Sequence, residues 1–132
     1  MTENEISYKI RGAIFKVYNK LGPGLFESVY ESALHYELIK LDLSVERQVA
    51  ITIPYDELIL DVAFRVDLLV EDKIIIELKS VEDLAPIHYK QIATYLRLTN
   101  KKIGLLVNFN TLNILDDIKR IANKYKDDRQ FK

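Results

Sequence analysis

Apolar residues recur at Ile6, Ile10, Ile14, Val17 and Leu21. These spacings of three and four place them on one stripe and predict an amphipathic helix over 6–21. Gly22-Pro23-Gly24 ends that helix, because glycine accepts a left-handed exit and proline cannot continue the hydrogen-bond ladder. A second helix is predicted over 25–41, with Phe26, Val29, Ala33, Tyr36 and Leu38 among its apolar positions. Glu27 falls in its first turn, where a carboxylate suits the positive end of the helix dipole. After Asp42 short stretches rich in Val, Ile and Thr move the period from helical to extended. They predict strands over 45–53, 58–70 and 73–80, with a turn at Pro54-Tyr55-Asp56-Glu57. Helical spacing returns over 82–99 through Ile87, Ile92 and Leu96, with Pro86 tolerable only in the first turn. The nearly unbroken apolar run 103–109 predicts a strand covered on both faces. Leu115, Ile118, Ile121, Ala122 and Tyr125 predict a closing amphipathic helix over 112–126. The expected order is α-α-β-β-β-α-β-α, a mixed α/β fold with a central mixed sheet flanked by helices. Without repeat, low-complexity tract or linker, residues 1–132 are expected to form a single domain.

The chain has 132 residues, 48% hydrophobic and 30% charged, the size and mixture of one domain. Such a domain buries roughly two thirds of the surface its unfolded chain exposes, so it needs no disulfide or structural metal. Cysteine is absent, which excludes a thiolate zinc site and a cysteine nucleophile and agrees with a cytoplasmic address. The N-terminus is polar and reads as no secretory signal. Apolar runs such as Ile74-Ile75-Ile76 are far shorter than the roughly 20 residues of a membrane helix, so no membrane partner is expected. Net charge is −1, yet residues from 97 onward carry nine Lys and Arg against four Asp and Glu, and residues 1–96 carry ten against sixteen. The acidic part therefore holds the candidate site. The basic part offers Lys101, Lys102, Lys119, Arg120 and Lys124 for phosphate contacts, or forms a solvated helix face.

The most informative stretch runs from Phe64 to Lys79. Strict alternation puts Phe64, Val66, Leu68 and Val70 on one face with Ile74, Ile76 and Leu78 across the turn, and this face is core. The opposite face carries Arg65, Asp67, Leu69, Ile75, Glu77 and Lys79. If Glu71-Asp72-Lys73 form the loop, Val70 pairs with Ile74 and Asp67 faces Glu77. Like charges directly opposite are destabilising, so the pair calls for a cation. Hard carboxylate oxygens suit Mg²⁺, which takes one or two of them and keeps positions for water and phosphate oxygens. Lys79 reaches the same space and can stabilise charge growing on a phosphate. The same spacing also fits a structural salt cluster of Arg65, Asp67, Glu77 and Lys79. Leu69 and Ile75 on that face argue that something covers it, and covered charges generally have a function.

Asp67 followed by Glu77-Leu78-Lys79 resembles the D…(D/E)-x-K signature of the PD-(D/E)xK nuclease superfamily. Gly24-Leu25-Phe26-Glu27-Ser28-Val29-Tyr30 resembles the G-x-x-E-x-x-Y element of its GxxExxY branch. The likeness continues through Asp67-Leu68-Leu69-Val70-Glu71, the helix from His88 to Leu96 and Leu105-Leu106-Val107-Asn108-Phe109, nearly the whole chain in order. It implies a restriction-endonuclease-like core with a metal-dependent phosphodiester-hydrolysis site on the second and third strands. By that resemblance Asp67, Glu77 and the Leu78 carbonyl ligate Mg²⁺, or Mn²⁺ in its place, and Lys79 is the catalytic lysine. Glu27 assists metal or water binding, while Gln91 and Tyr95 match a Q-x-x-x-Y element that orients site and substrate. His88, Gln91 and Tyr95 share one helix face by spacing, which makes His88 either a further substrate contact or a plain surface residue. Tyr30, four residues before Leu34, reads as a packing residue. Val66 stands where the superfamily signature has proline, which removes a backbone constraint but no ligand.

The function these readings imply is a metal-dependent nuclease acting on DNA ahead of RNA, alone, as a homodimer or in a larger complex. The alternative is a non-cleaving nucleic-acid-binding or accessory module on the same scaffold, which the small size favours. A purely structural domain fits the intact acidic constellation poorly, and fold alone does not fix function.

Overall fold

The structure, a computed structural model, describes residues 1–124, with side chains at all but 61–63. Helices α1 (Glu3–Leu21) and α2 (Glu27–Lys40) precede strands β1 (Val45–Tyr55), β2 (Leu58–Val70) and β3 (Ile74–Lys79). Helix α3 (Pro86–Thr99), β4 (Ile103–Asn108), a 3-10 turn at Ile114–Asp117 and β5 (Ile118–Ala122) follow. Among the described residues the sheet has five strands in the order β1-β2-β3-β4-β5. Only β3 and β4 are parallel, and α3 makes the crossover between them; the other neighbours are antiparallel.

Thr2 starts α1 with a capping box: its hydroxyl accepts from Glu5 N–H, and the Glu5 carboxylate accepts from Thr2 N–H. Ile6, Ile10, Ile14 and Val17 are buried as the stripe predicts, whereas Leu21 is exposed. The buried face of α2 is rotated from the expected one. Tyr30, Leu34 and Leu38 are buried, while Phe26, Val29 and Tyr36 are exposed, because the i, i+4, i+8 row is the one that meets the sheet. Pro86 opens α3 at the first helical position, where its missing N–H costs nothing.

The sheet is covered on both faces. Helices α1 and α2 pack Ile6, Ile10, Ile14, Tyr30, Leu34 and Leu38 against Leu68, Val70, Ile74, Ile76, Leu105 and Val107. On the other side α3 packs Ile92, Tyr95 and Leu96 against Ile51, Val66, Leu69, Ile75 and Leu106. Gly104 lets α3 approach, since a Cβ there would lie 2.8 Å from Ile92 Cδ1. Every residue of β4 is buried, as the unbroken apolar run requires.

Two expectations are corrected. The chain after Leu112 forms the 3-10 turn and β5 rather than a helix; Tyr125 and Lys126 of the expected helix lie outside the described residues. Ile118 packs on the α1/α2 side and Ile121 on the α3 side. A spacing of three puts two residues on one face of a helix but on opposite faces of a strand, and pairing with β4 satisfies a backbone edge that a helix would leave open. Phe64 and Val66 lie on the α3 side, opposite Leu68 and Val70. The alternation slips at Asp67, which is where the site forms.

Candidate metal centre

The turn at Glu71-Asp72-Lys73 places Glu71 and Asp72 in successive left-handed conformations, φ 55° and 54°, and Lys73 N–H donates back to Val70 O at 2.9 Å. It sets the expected register: Val70 pairs with Ile74, Leu69 with Ile75 and Leu68 with Ile76. At the next position side chains replace the backbone ladder. Asp67 N–H donates to Glu77 Oε2 and Leu78 N–H donates to Asp67 Oδ2, both at 2.8 Å. Each carboxylate thus takes up a backbone donor of the opposite strand. The strands are held together by the groups whose charges repel.

Burial dominates the electrostatics. It pushes the Glu77 carboxyl up to about 8, and the Asp67 carboxylate beside it adds to the rise; Lys79 acts in the opposite direction. Burial likewise raises Asp67, against the bonds from Leu78 N–H and Gln48. The salt-cluster reading is not what forms. Among the described residues Arg65, Asp67, Glu77 and Lys79 make no ion pair with one another, and Arg65 Nη1 donates instead to Gln48 O at 3.2 Å. Among the described residues no cation forms an ion pair with either carboxylate, and the Lys79 charge, which acts on both, offsets only part of the cost of burying them.

The chemistry of such a pair suits a hard divalent cation. Two buried carboxylates cannot both ionise cheaply unless a cation joins them, and Mg²⁺ takes one or two protein carboxylates. Glu77 Oε1 accepts no hydrogen bond from the described residues, and each acceptor oxygen keeps a spare lone pair. The described residues contain no group of three or more His, Asp and Glu arranged to hold a metal. Glu27, the expected helical partner, is not gathered with the pair: its Oε2 accepts from Ser80 N–H at 3.3 Å, one residue beyond Lys79. Ser80 Oγ also donates to Leu25 O at 2.6 Å, so the start of α2 is docked on the end of β3.

Tyr30 secures that docking. Fully buried, it donates its hydroxyl to Gly22 O, accepts from Leu25 N–H at 3.2 Å, and stacks its ring on Phe109 with centroids 4.2 Å apart. Helix α3 borders the other side. Burial raises the Tyr95 phenol, and the Glu77 and Asp67 charges raise it further, which places its ring in their field; Phe64 packs on it at 5.6 Å. Gln91, one turn earlier, is half-buried and its amide has no hydrogen-bond partner among the described residues. His88 spends Nδ1 on capping α3, accepting from Ala85 N–H at 2.9 Å, and burial and the Lys79 charge hold its pKa down.

The five C-terminal cations do not converge on the pair. Lys101 and Lys102 precede β4 and Lys124 follows β5, all at the sheet end opposite Glu77 and Lys79. Lys101 Nζ pairs with Asp72 at 3.0 Å, Lys119 Nζ donates to Asp116 O, and Arg120 donates to Asn4.

The sequence pattern assigns no supporting role to four residues that have one. Glu31, buried on α2, accepts from Arg47 Nε at 3.0 Å and from Gln48 Nε2. Gln48 also donates to Asp67 Oδ1 at 3.2 Å. Asn108 grips Val81 just past β3, with Nδ2 donating to Val81 O at 2.9 Å and Oδ1 accepting from Val81 N–H at 3.1 Å, and Ser80 forms the bonds above. Only Glu31 carried a signal, four residues after Glu27 on the same helix face.

A family model described as PD-(D/E)XK nuclease superfamily matches residues 4–121. Among solved structures, the chain resembles one described as "Crystal structure of SSO0001", with a TM-score of 0.50 and 23% identity over 78% of this chain and 52% of that one. That likeness concerns the fold, and the chain spans about half the length of the protein it matches. No curated protein matches.

Proposed function

Because the chain belongs to the PD-(D/E)XK nuclease superfamily, we propose that it is a metal-dependent nuclease that hydrolyses phosphodiester bonds of nucleic acid, DNA ahead of RNA. The single observation that carries this reading is the crossed pair of carboxylates, Asp67 and Glu77, each bonded at 2.8 Å to the other strand's backbone, with Lys79 two residues on. Asp67 and Glu77 would hold Mg²⁺ or Mn²⁺, with the Leu78 carbonyl beside them and Glu27 acting from the Ser80 end. The ion supplies activation of water and neutralisation of charge on the phosphate. Lys79 stabilises the negative charge that develops as the bond breaks, and its ammonium is worth most where burial excludes water. Gln91 offers an uncommitted amide, and Tyr95 and His88 line the approach from α3. We assign the chain to the GxxExxY branch on Gly24, Glu27 and Tyr30, the last two fixing the docked α2. Lys101, Lys102, Lys119, Arg120 and Lys124 would meet phosphates of a substrate long enough to run past the sheet.

The proposal includes a cytoplasmic address. The β1–β2 hairpin tip, with Tyr55, Leu58 and Ile59 each more than half exposed, supports assembly with a second copy or a larger complex. The test is incubation of labelled single-stranded, duplex and branched DNA and RNA with Mg²⁺ or Mn²⁺ and with chelator. Cleavage that requires the metal supports the reading and identifies the substrate. Intact substrate throughout overturns it in favour of an accessory module.

A further inference from the structure

Gln48 faces Asp67 across the β1–β2 ladder, between the pairs Arg47↔Leu68 and Val49↔Val66. Its φ of 51° is left-handed, a conformation that a non-glycine residue keeps within a strand only where its surroundings over-determine it. Here they do. The Gln48 carbonyl accepts from Arg65 Nη1 at 3.2 Å, and its Nε2 donates both to Glu31 Oε1 at 2.5 Å and to Asp67 Oδ1 at 3.2 Å. Glu31 is itself fixed, 7% exposed and held by Arg47 Nε at 3.0 Å, while Arg47 Nη2 donates to Ser32.

We propose that Gln48 is a positioning residue for the metal-ligating carboxylate, tying Asp67 to the buried Glu31 so that its oxygens are oriented before a divalent cation arrives; this rests on the metal-dependent reading above. With Oδ1 held by Gln48 and Oδ2 by Leu78 N–H, the Asp67 carboxylate cannot rotate. An amide suits the task chemically. Its two N–H groups serve two carboxylates at once, and being neutral it leaves the negative charge that attracts the cation. Lysine or arginine at this position would bind the same oxygens and compete with the metal.

The test uses Gln48→Gly and Gln48→Asn in the full chain. Both residues accept the left-handed backbone, glycine without an amide and asparagine with one that is a methylene too short to span both carboxylates. Mn²⁺ affinity is read by the paramagnetic resonance of free Mn²⁺, and the metal-free fold by thermal melting. Loss of an outer hydrogen bond to a ligand typically weakens metal binding about 10- to 100-fold. The expected result is that loss in both variants with the melting transition retained. The metal concentration for half-maximal cleavage should rise by the same factor while the rate at saturating metal is kept. Wild-type Mn²⁺ affinity in either variant overturns the proposal and leaves the nuclease reading standing. Failure of the wild type to bind Mn²⁺ overturns both. Unfolding of both variants also overturns it, since Gln48 would then be structural only.

Discussion

Glu77→Gln replaces a buried carboxyl that is costly to ionise with an amide of the same shape. The wild-type carboxyl, pushed from 4.5 up to about 8 by burial and then by Asp67, holds a proton in the folded state that the unfolded chain releases above about 4.5. Between those values the native state binds more protons, so unfolding free energy falls as pH rises. One proton corresponds to about 1.4 kcal/mol per pH unit, about 5 kcal/mol over the whole window. For a domain of this size that is roughly 3–4 °C in melting temperature per kcal/mol, so the swing spans more than 10 °C. Stability is fully present below the unfolded value and is lost as pH rises through the folded one. The amide keeps an oxygen to accept from Asp67 N–H and does not titrate. Metal-free urea unfolding from about pH 5 to about pH 8.5 should therefore show a steep decline in the wild type and a shallow one in Glu77→Gln, the remainder coming from Asp67, whose shift has the same sign. Adding Mg²⁺ should flatten the wild-type decline and leave the variant nearly unmoved. Parallel wild-type and variant profiles would refute the reasoning, because Glu77 would then ionise freely in the fold.

Gly104→Ala should destabilise the protein by about 1–3 kcal/mol in urea unfolding, because the new methyl meets the fully buried Ile92 at 2.8 Å; an unchanged midpoint would mean that α3 stands farther from β4. Neutralising Lys101, Lys102, Lys119, Arg120 and Lys124 should flatten the salt dependence of nucleic-acid binding by roughly 0.7–0.9 in log–log slope for each phosphate that the protein no longer neutralises. An unchanged slope by fluorescence anisotropy would remove these side chains from the interface.

The register of the β2–β3 hairpin was legible because a three-residue loop between two apolar strands leaves few choices, and Val70 does pair with Ile74. From it the meeting of Asp67 and Glu77 followed. The face change at Asp67 was not legible, since it arises from side chains replacing ladder bonds and from the left-handed Gln48, neither of which leaves a periodic trace. Glu27 illustrates a different limit. The sequence pattern places it in the first turn of its helix, but only the docking of Leu25 and Glu27 on Ser80 shows that it meets the end of β3 rather than the carboxylate pair. Beyond Leu112 the apolar spacing fits both a helix and a two-sided strand, and the open edge of β4 decides between them.

The role proposed for Lys79, beside Asp67 and Glu77, is in phosphodiester hydrolysis. Single-turnover cleavage of a labelled substrate at saturating Mg²⁺, with wild type and Lys79→Ala purified identically, tests it most directly. The expected result is a rate loss of about 100-fold or more, the scale of removing one group that stabilises transition-state charge, with the variant still folded and still binding metal. Equal rates in the two proteins would contradict it.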